Sequence, residues 1–366
     1  MKKIAIFKPY NARLNNAFGS GQYPVFKRFK ELGYEVVFFL DDRDVKFEGV
    51  ENRYVKVKPI QNFILKVVRR VLNVQYIKIP YYGNIDFNEF DIVITEGLHY
   101  PFLSYFDKYE GLLIINDSIT AEERIKRLNS KLINKKFASR HMVCVNKKMY
   151  LLHQKYNIHL PHSIIGHALD VDKIKFYQRE KFNGKIVSIG RLVYEKGYIY
   201  IFKALEKLIK KYPYITLDIY GDGPLKTKLE QNIKEMSLEN NIFLKGSLKY
   251  DNLMKSLKEY DLFISHPLEV EHIAEAFHMG NMEAMANGIP VITSDCGGVP
   301  YVVKDRAIIC KQKYVEDIEN AIENFIQNEN LFPMMSLKGR KFVEDNYSIE
   351  IIFEKWKKLI ESKSNL

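Results

Sequence analysis

Four side chains in the second half of this chain have the types and spacing of a site for a phosphorylated, hydroxyl-rich ligand. Glu275 and Glu283 stand eight residues apart around the start of an expected helix. Arg191 ends an expected strand and Lys196 follows five residues later. That spacing lets a planar guanidinium and a compact ammonium converge on one diphosphate, although two surface bases near a turn would read the same way. The glutamates are unsuited to phosphate, because like charges repel; an ionised carboxylate accepts hydrogen bonds from hydroxyls instead. Met279, Gly280 and Asn281 open the expected helix, and its outward N–H groups and dipole favour an anion there. A diphosphate beside hydroxyl-binding carboxylates describes a nucleotide-sugar site.

The elements that must hold these groups are legible around them. Residues 275–298 run E-A-F-H-M-G-N-M-E-A-M-A-N-G-I-P-V-I-T-S-D-C-G-G. Met282, Ala284, Met285 and Ala286 are strong helix formers, and Asn287-Gly288 supplies a stop. Residues 289–292 then read as a short buried strand that ends in the Gly297-Gly298 turn. Upstream, a strand over 185–189 leads through Gly190-Arg191-Leu192-Val193-Tyr194-Glu195-Lys196-Gly197 into a helix over 198–211. A strand over 214–220 ends in Gly221-Asp222-Gly223-Pro224, with the proline near the first turn of the next helix. Further strands are predicted at 242–245, 262–265 and 307–310, and helices at 315–327, 331–346 and 349–362.

The first half alternates in the same way. Strands are predicted at 4–7, 34–40, 54–57, 91–95, 112–115, 142–145 and 163–165. A glycine loop containing Gly19 and Gly21 precedes a helix over 22–32, which makes a βαβ unit. An amphipathic helix over 60–76 sets Phe63, Ile64 and Val67 against Lys66, Arg69 and Arg70. The chemistry of an open α/β sheet sits at the strand C-termini, so the turns holding His99 and Asp117 are candidates. Asp117 either orients a hydroxyl or caps a helix beginning near Ile119.

The 275–298 stretch resembles the donor-site signature of retaining glycosyltransferases of family 4. Their pattern is E-x-F-G, four residues, E-A-M-A-x-G-x-P-V and a glycine pair; His278 takes the usual glycine position. G-R-L, three residues and K-G at 190–197, with G-x-G-P at 221–224, extend the likeness. The resemblance implies an α/β GT-B fold of two facing Rossmann-like domains with the active site in the cleft between them. Residues 1–166 would bind the acceptor and 167–348 the donor, with the helix 349–366 packing back on the first domain. It also implies transfer of a hexose-type sugar from a UDP- or GDP-type donor to a hydroxyl of a glycan or lipid-linked acceptor, with configuration retained. Arg191 and Lys196 would neutralise the leaving diphosphate and Glu283 would hold the ribose. Glu275, with the backbone of His278, Met279, Gly280 and Asn281, would bind the sugar. Gly221 would lie beside the nucleotide base, and the loop of Gly19 and Gly21 would close over the diphosphate or acceptor. Asp117 stands where the family commonly carries a histidine. No cofactor or obligatory metal is expected.

Composition sets the remaining bounds. The chain has 366 residues, 46% of them hydrophobic, which suits two domains. Cys144, Cys296 and Cys310 are odd in number and lack metal spacing, so free thiols in a reducing compartment are expected, hence a cytoplasmic protein. The short run after Met1-Lys2-Lys3 reads as a strand rather than a signal-peptide core. The net charge of +11 resides in residues 1–168, which hold 27 Lys and Arg against 16 Asp and Glu. Residues 52–85 and 124–169 carry seven and ten bases respectively and no acid. This is either a solvated lysine-rich surface or an attraction to an anionic partner, such as the inner membrane face. A sugar-nucleotide epimerase, a glycoside hydrolase and a basic nucleic-acid-binding module are the rival readings. The basic pair argues against a hydrolase, and nucleic acid is not an expected partner.

Overall fold

The computed structural model describes residues 1–7, 22–40, 46–55, 85–96, 106, 108–117, 122–271 and 273–364. Short runs rich in Ile, Val and Phe form two all-parallel sheets. The first contains β1 (Lys3–Phe7), β2 (Glu35–Leu40), β3 (Glu51–Tyr54), β4 (Ile92–Glu96), β5 (Leu112–Asp117), β6 (His141–Cys144) and β7 (His162–Ile164), in the order β3-β2-β1-β4-β5-β6-β7. The second contains β8 (Lys185–Ile189), β9 (Thr216–Tyr220), β10 (Ile242–Gly246), β11 (Leu262–Ile264), β12 (Val291–Ser294) and β13 (Ile308–Cys310), in the order β10-β9-β8-β11-β12-β13. Each order reverses beside the first strand of its sheet, which is the doubly wound arrangement that opens a crevice at the strand C-termini.

Parallel sheets need cover on both faces, so their strands are apolar throughout rather than alternating. Ala5, Phe7, Val37, Val93 and Ile115 enter one core layer of the first domain. Ile4, Ile6, Phe38, Ile94 and Ile114 enter the opposite layer. The closing helix, Ile349–Ser364, completes that second layer although it is last in the chain. Trp356 is fully buried and meets the Phe26 ring edge-on at 5.1 Å, while Phe353 meets Phe29 at 5.1 Å. Arg28 and Glu350 pair across the same seam. The second domain buries Ile186, Leu217, Ile219, Ile264 and Ile292 under the helices Tyr198–Lys211 and Val315–Gln327.

Several elements differ from the sequence reading. The third strand is Glu51–Tyr54 rather than 54–57. Among the described residues it is an edge strand paired only with β2, so backbone pairing fixes it and apolar alternation does not. The expected 22–32 helix is α-helical over Tyr23–Lys27 and tightens to a 3₁₀ turn over Arg28–Lys30. The strand expected at 289–292 is Val291–Ser294, because Gly288 and Ile289 finish the preceding helix. Gly288, at φ 87°, donates to Met285 O and Ile289 N–H donates to Ala284 O. The helix expected from Ile119 is Glu122–Lys126. Gly19, Gly21, His99 and the basic 60–76 segment lie outside the described residues. Among the described residues, no helix is long and apolar enough to cross a membrane.

Candidate donor site

The predicted basic loop and the predicted signature meet. β8 delivers Gly190 and Arg191, and the short 3₁₀ turn Tyr194–Lys196 carries Lys196 back over the strand end. Gly197 closes that turn at φ 66°. A Cβ there would stand 2.1 Å from His266 O, so only glycine allows the loop to lie against β11. Gly221 serves the same purpose at the neighbouring strand end, where a Cβ would be 1.9 Å from Gly190 O. These close approaches direct Lys196 to Glu275, with Nζ 2.6 Å from Oε2 and both side chains mostly buried. Arg191 extends into solvent, loosely held by Glu195 at 3.4 Å. Its exposure leaves the guanidinium available to an incoming anion.

Electrostatics divide the two glutamates. Burial alone would raise the Glu275 pKa, but the Lys196 ammonium, the nearby His278 and their hydrogen bonds hold it at about 2. Glu275 is therefore a carboxylate at every physiological pH. Among the described residues Glu283 has no cation partner; burial pushes it to about 7, against a lowering hydrogen bond from the Tyr250 hydroxyl. Tyr250 in turn is raised by burial and by the Glu283 charge. One carboxylate is locked ionised, and the other sits near its midpoint at neutral pH.

The signature helix, Met279–Asn287, starts at His278, which adopts the left-handed conformation at φ 54° and ψ 79°. The usual glycine of the resembling motif suits that conformation, which explains why glycine stands there and why histidine is strained. Asn281 does not present its side chain to a ligand. Its amide bonds Ser265 Oγ at 2.9 Å and Thr293 Oγ1 at 3.1 Å inside the core, and its N–H donates to His278 O at 3.1 Å. Of the expected outward N–H groups, Asn281 is thus used internally, while Met279 and Gly280 stand in the first turn. Among the described residues, no cluster of three His, Cys, Asp or Glu has metal-binding arrangement.

Asp117 belongs to the first domain, at the end of β5, and is 1% exposed. Its Oδ2 lies 3.0 Å from His153 Nε2, and Cys144 Sγ lies 3.6 Å from the other ring nitrogen. An imidazole does stand at this strand end, brought by the helix Lys147–Lys155 rather than by the strand turn. The sequence reading did not single out His153; its position on a buried helical face, beside Met149 and Leu152, was the available signal. Nor did it single out Tyr250, whose link to Glu283 spans two elements with no local pattern. Asn146 caps the same first-domain helix by accepting from Met149 N–H at 3.1 Å. Its Nδ2 crosses to Ala276 O, 2.7 Å away, and thereby ties the signature to the first domain.

Comparisons with known proteins bear on the fold and on the second half of the chain. Residues 170–342 match the family model described as glycosyl transferases group 1. An uncharacterized glycosyltransferase of Haemophilus influenzae is 31% identical over 182 residues, 49% of each chain. The poly(glycerol-phosphate) alpha-glucosyltransferase of Bacillus subtilis is 34% identical over 175 residues, 47% of this chain and 25% of that protein. The matches thus span half or less of these curated relatives. Anabaena HepE in complex with UDP superposes with a TM-score of 0.75 at 14% identity, over 99% of this chain and 100% of that one. Sucrose-phosphate synthase from Thermosynechococcus elongatus gives 0.73 at 14% identity, over 99% of both chains. The two-Rossmann GT-B architecture is common to all of these folds. Over residues 170–342, the chain is similar to the group 1 glycosyl transferases.

Proposed function

We propose that the protein is a retaining glycosyltransferase of the family 4 type, transferring a hexose-type sugar from a UDP-type donor to a hydroxyl of a glycan or lipid-linked acceptor. The observation that carries this reading is the Lys196–Glu275 pair at 2.6 Å, which joins the basic loop to the signature. UDP is favoured over GDP because the HepE structures hold UDP, and UDP with glucose. In this reading Lys196 and Arg191 meet the diphosphate, Glu275 accepts from a sugar hydroxyl and Glu283 from the ribose. The glycosidic C–O bond to the diphosphate breaks as the acceptor oxygen attacks the same face. The acceptor proton passes to the departing phosphate oxygen. Charge stabilisation of the leaving group by the two bases is the main catalytic contribution. The reading asks for no metal.

Hydrolysis of UDP-glucose by the enzyme, followed by proton NMR, tests the stereochemistry without an identified acceptor. The α-anomer of glucose should form first; initial β-glucose would contradict retention. Cytoplasmic residence at an anionic membrane face is part of the same proposal, and its support is the basic bias of residues 1–168. Replacing Lys66, Arg69 and Arg70 by Ser should then reduce binding to phosphatidylglycerol vesicles, and equal partitioning would remove that part.

A further inference from the structure

We propose that His167, in the crossover between the two domains, is a positioning residue for the transfer step that holds the first-domain side of the cleft against the signature. The inference rests on the glycosyltransferase reading above and adds a residue that reading does not use. The chain leaves the first sheet after β7 and comes back to its layers at the closing helix. The two passages pair: Leu169 N–H donates to Tyr347 O at 2.7 Å, and Leu169 and Ser348 form an isolated parallel bridge. Gly166 brings the outgoing passage against the signature, since a Cβ there would stand 2.9 Å from both Phe277 Cε2 and Tyr347 Cε1. Phe277 meets the Tyr347 ring edge-on at 5.0 Å and the half-buried His167 ring at 5.1 Å.

On its other side His167 reaches the first domain. Gln22 is the N-cap residue of the helix Tyr23–Lys27, yet its side chain forms no capping bond and is buried. Its Nε2 lies 3.0 Å from His167 Nδ1, across 145 positions of sequence. An amide nitrogen only donates, so Nδ1 accepts and the ring proton sits on Nε2. The helix behind Gln22 is packed in turn, with Phe26 against Trp356 of the closing helix. His167 therefore joins a fixed first-domain helix to the ring two residues after Glu275. The donor half of the site has its own supports, because Gly298 N–H donates to Glu275 O at 2.8 Å and Lys196 holds the carboxylate. What His167 sets is how that half faces the first domain. An attack confined to one face of the sugar is sensitive to a misplacement of about 1 Å.

The test pairs calorimetric titration with UDP and hydrolysis of UDP-glucose, both on the full chain. His167→Ala should lower kcat about tenfold while KM and UDP affinity stay within about twofold. Gln22→Ala should give a similar loss, and the double variant no more than either alone, because both changes remove one contact. His167→Asn, whose Oδ1 accepts from the same amide, should restore most of the rate. A merely structural role would lower the unfolding temperature and UDP affinity together, without rescue by Asn. Full turnover in both single variants overturns the inference, as do additive losses or a loss of UDP affinity equal to the loss of rate. Wild-type protein that neither binds nor hydrolyses UDP-glucose removes the glycosyltransferase reading and this inference with it. Wild-type turnover with indifferent variants removes the role of His167 alone.

Discussion

Asn146 Nδ2 lies 2.7 Å from Ala276 O, so the side chain that caps a first-domain helix also fastens the signature loop of the second domain. The fit is close on both sides: a Cβ on Gly298 would stand 2.2 Å from the same Nδ2. One amide thereby couples the capping of one domain to the placement of Glu275 in the other. Asn146→Ala should destabilise the protein by about 1–2 kcal/mol, the sum of a lost cap and a lost cross-domain hydrogen bond. It should also weaken UDP-sugar binding without touching the ligand. Denaturant titration and calorimetry check the two effects separately. Unchanged donor affinity would show that the loop holds its place alone.

Lys196 and Glu275 should show energetic coupling. Removing one partner leaves a largely buried charge uncompensated, so each single change costs more than the pair is worth. Lys196→Ala should weaken UDP binding about tenfold or more, because the diphosphate loses a charge-assisted contact. The cycle with Glu275→Gln should give a coupling of about 1–2 kcal/mol in stability. The sign with pH follows from the depressed Glu275 pKa of about 2. Its contribution is complete above the unfolded carboxylate range and is lost as pH falls towards 2. In Lys196→Ala this acid-linked loss should shrink, because the ammonium no longer lowers the Glu275 pKa while burial still raises it.

Glu283 behaves in the opposite sense. With its pKa at about 7, the folded chain holds a proton that the unfolded chain has released between about pH 4.5 and 7. Stability therefore falls as pH rises through that window. Glu283→Gln should be close to the wild type at pH 5 and more stable than it at pH 8, by about 1–3 kcal/mol. Ribose recognition needs the carboxylate, so UDP-glucose affinity should tighten as pH rises through 7, and the Gln variant should lose that dependence. A pH-independent wild-type affinity would exclude Glu283 from the ribose.

The closing helix should be indispensable to the first domain. Trp356 fills the layer that contains Phe26 and Ile352 and is 1% exposed. Trp356→Ala should cost about 3–5 kcal/mol, as large aromatic deletions in closed cores do. Proteolysis of the variant should cut the first domain before the second, and simultaneous loss of both would indicate a single cooperative unit.

Much of this fold is written locally. Residues 185–189 and 198–211 were bounded correctly because a buried strand, a glycine turn and an amphipathic period follow one another without competition. The third strand was misplaced because Glu51–Tyr54 carries no hydrophobic pattern and owes its existence to pairing with β2. Lys196 and Glu275 were legible as candidate site residues from their motifs, yet their ion pair joins positions 79 apart and needed the fold. Asn281 stands in the motif as well, but tertiary packing turns its side-chain amide inwards to Ser265 and Thr293, which no local pattern foretells. The Asp117–His153 contact crosses from a strand to a helix, and nothing in the local sequence links the two residues.

Donor binding tests the central claim most directly. Thermal shift of the purified chain with UDP, GDP, ADP, dTDP and their common sugars should give a saturable rise for uridine compounds, and Lys196→Ala should abolish or sharply reduce it. A shift with no nucleoside diphosphate or sugar conjugate would contradict a nucleotide-sugar site at Lys196 and Glu275.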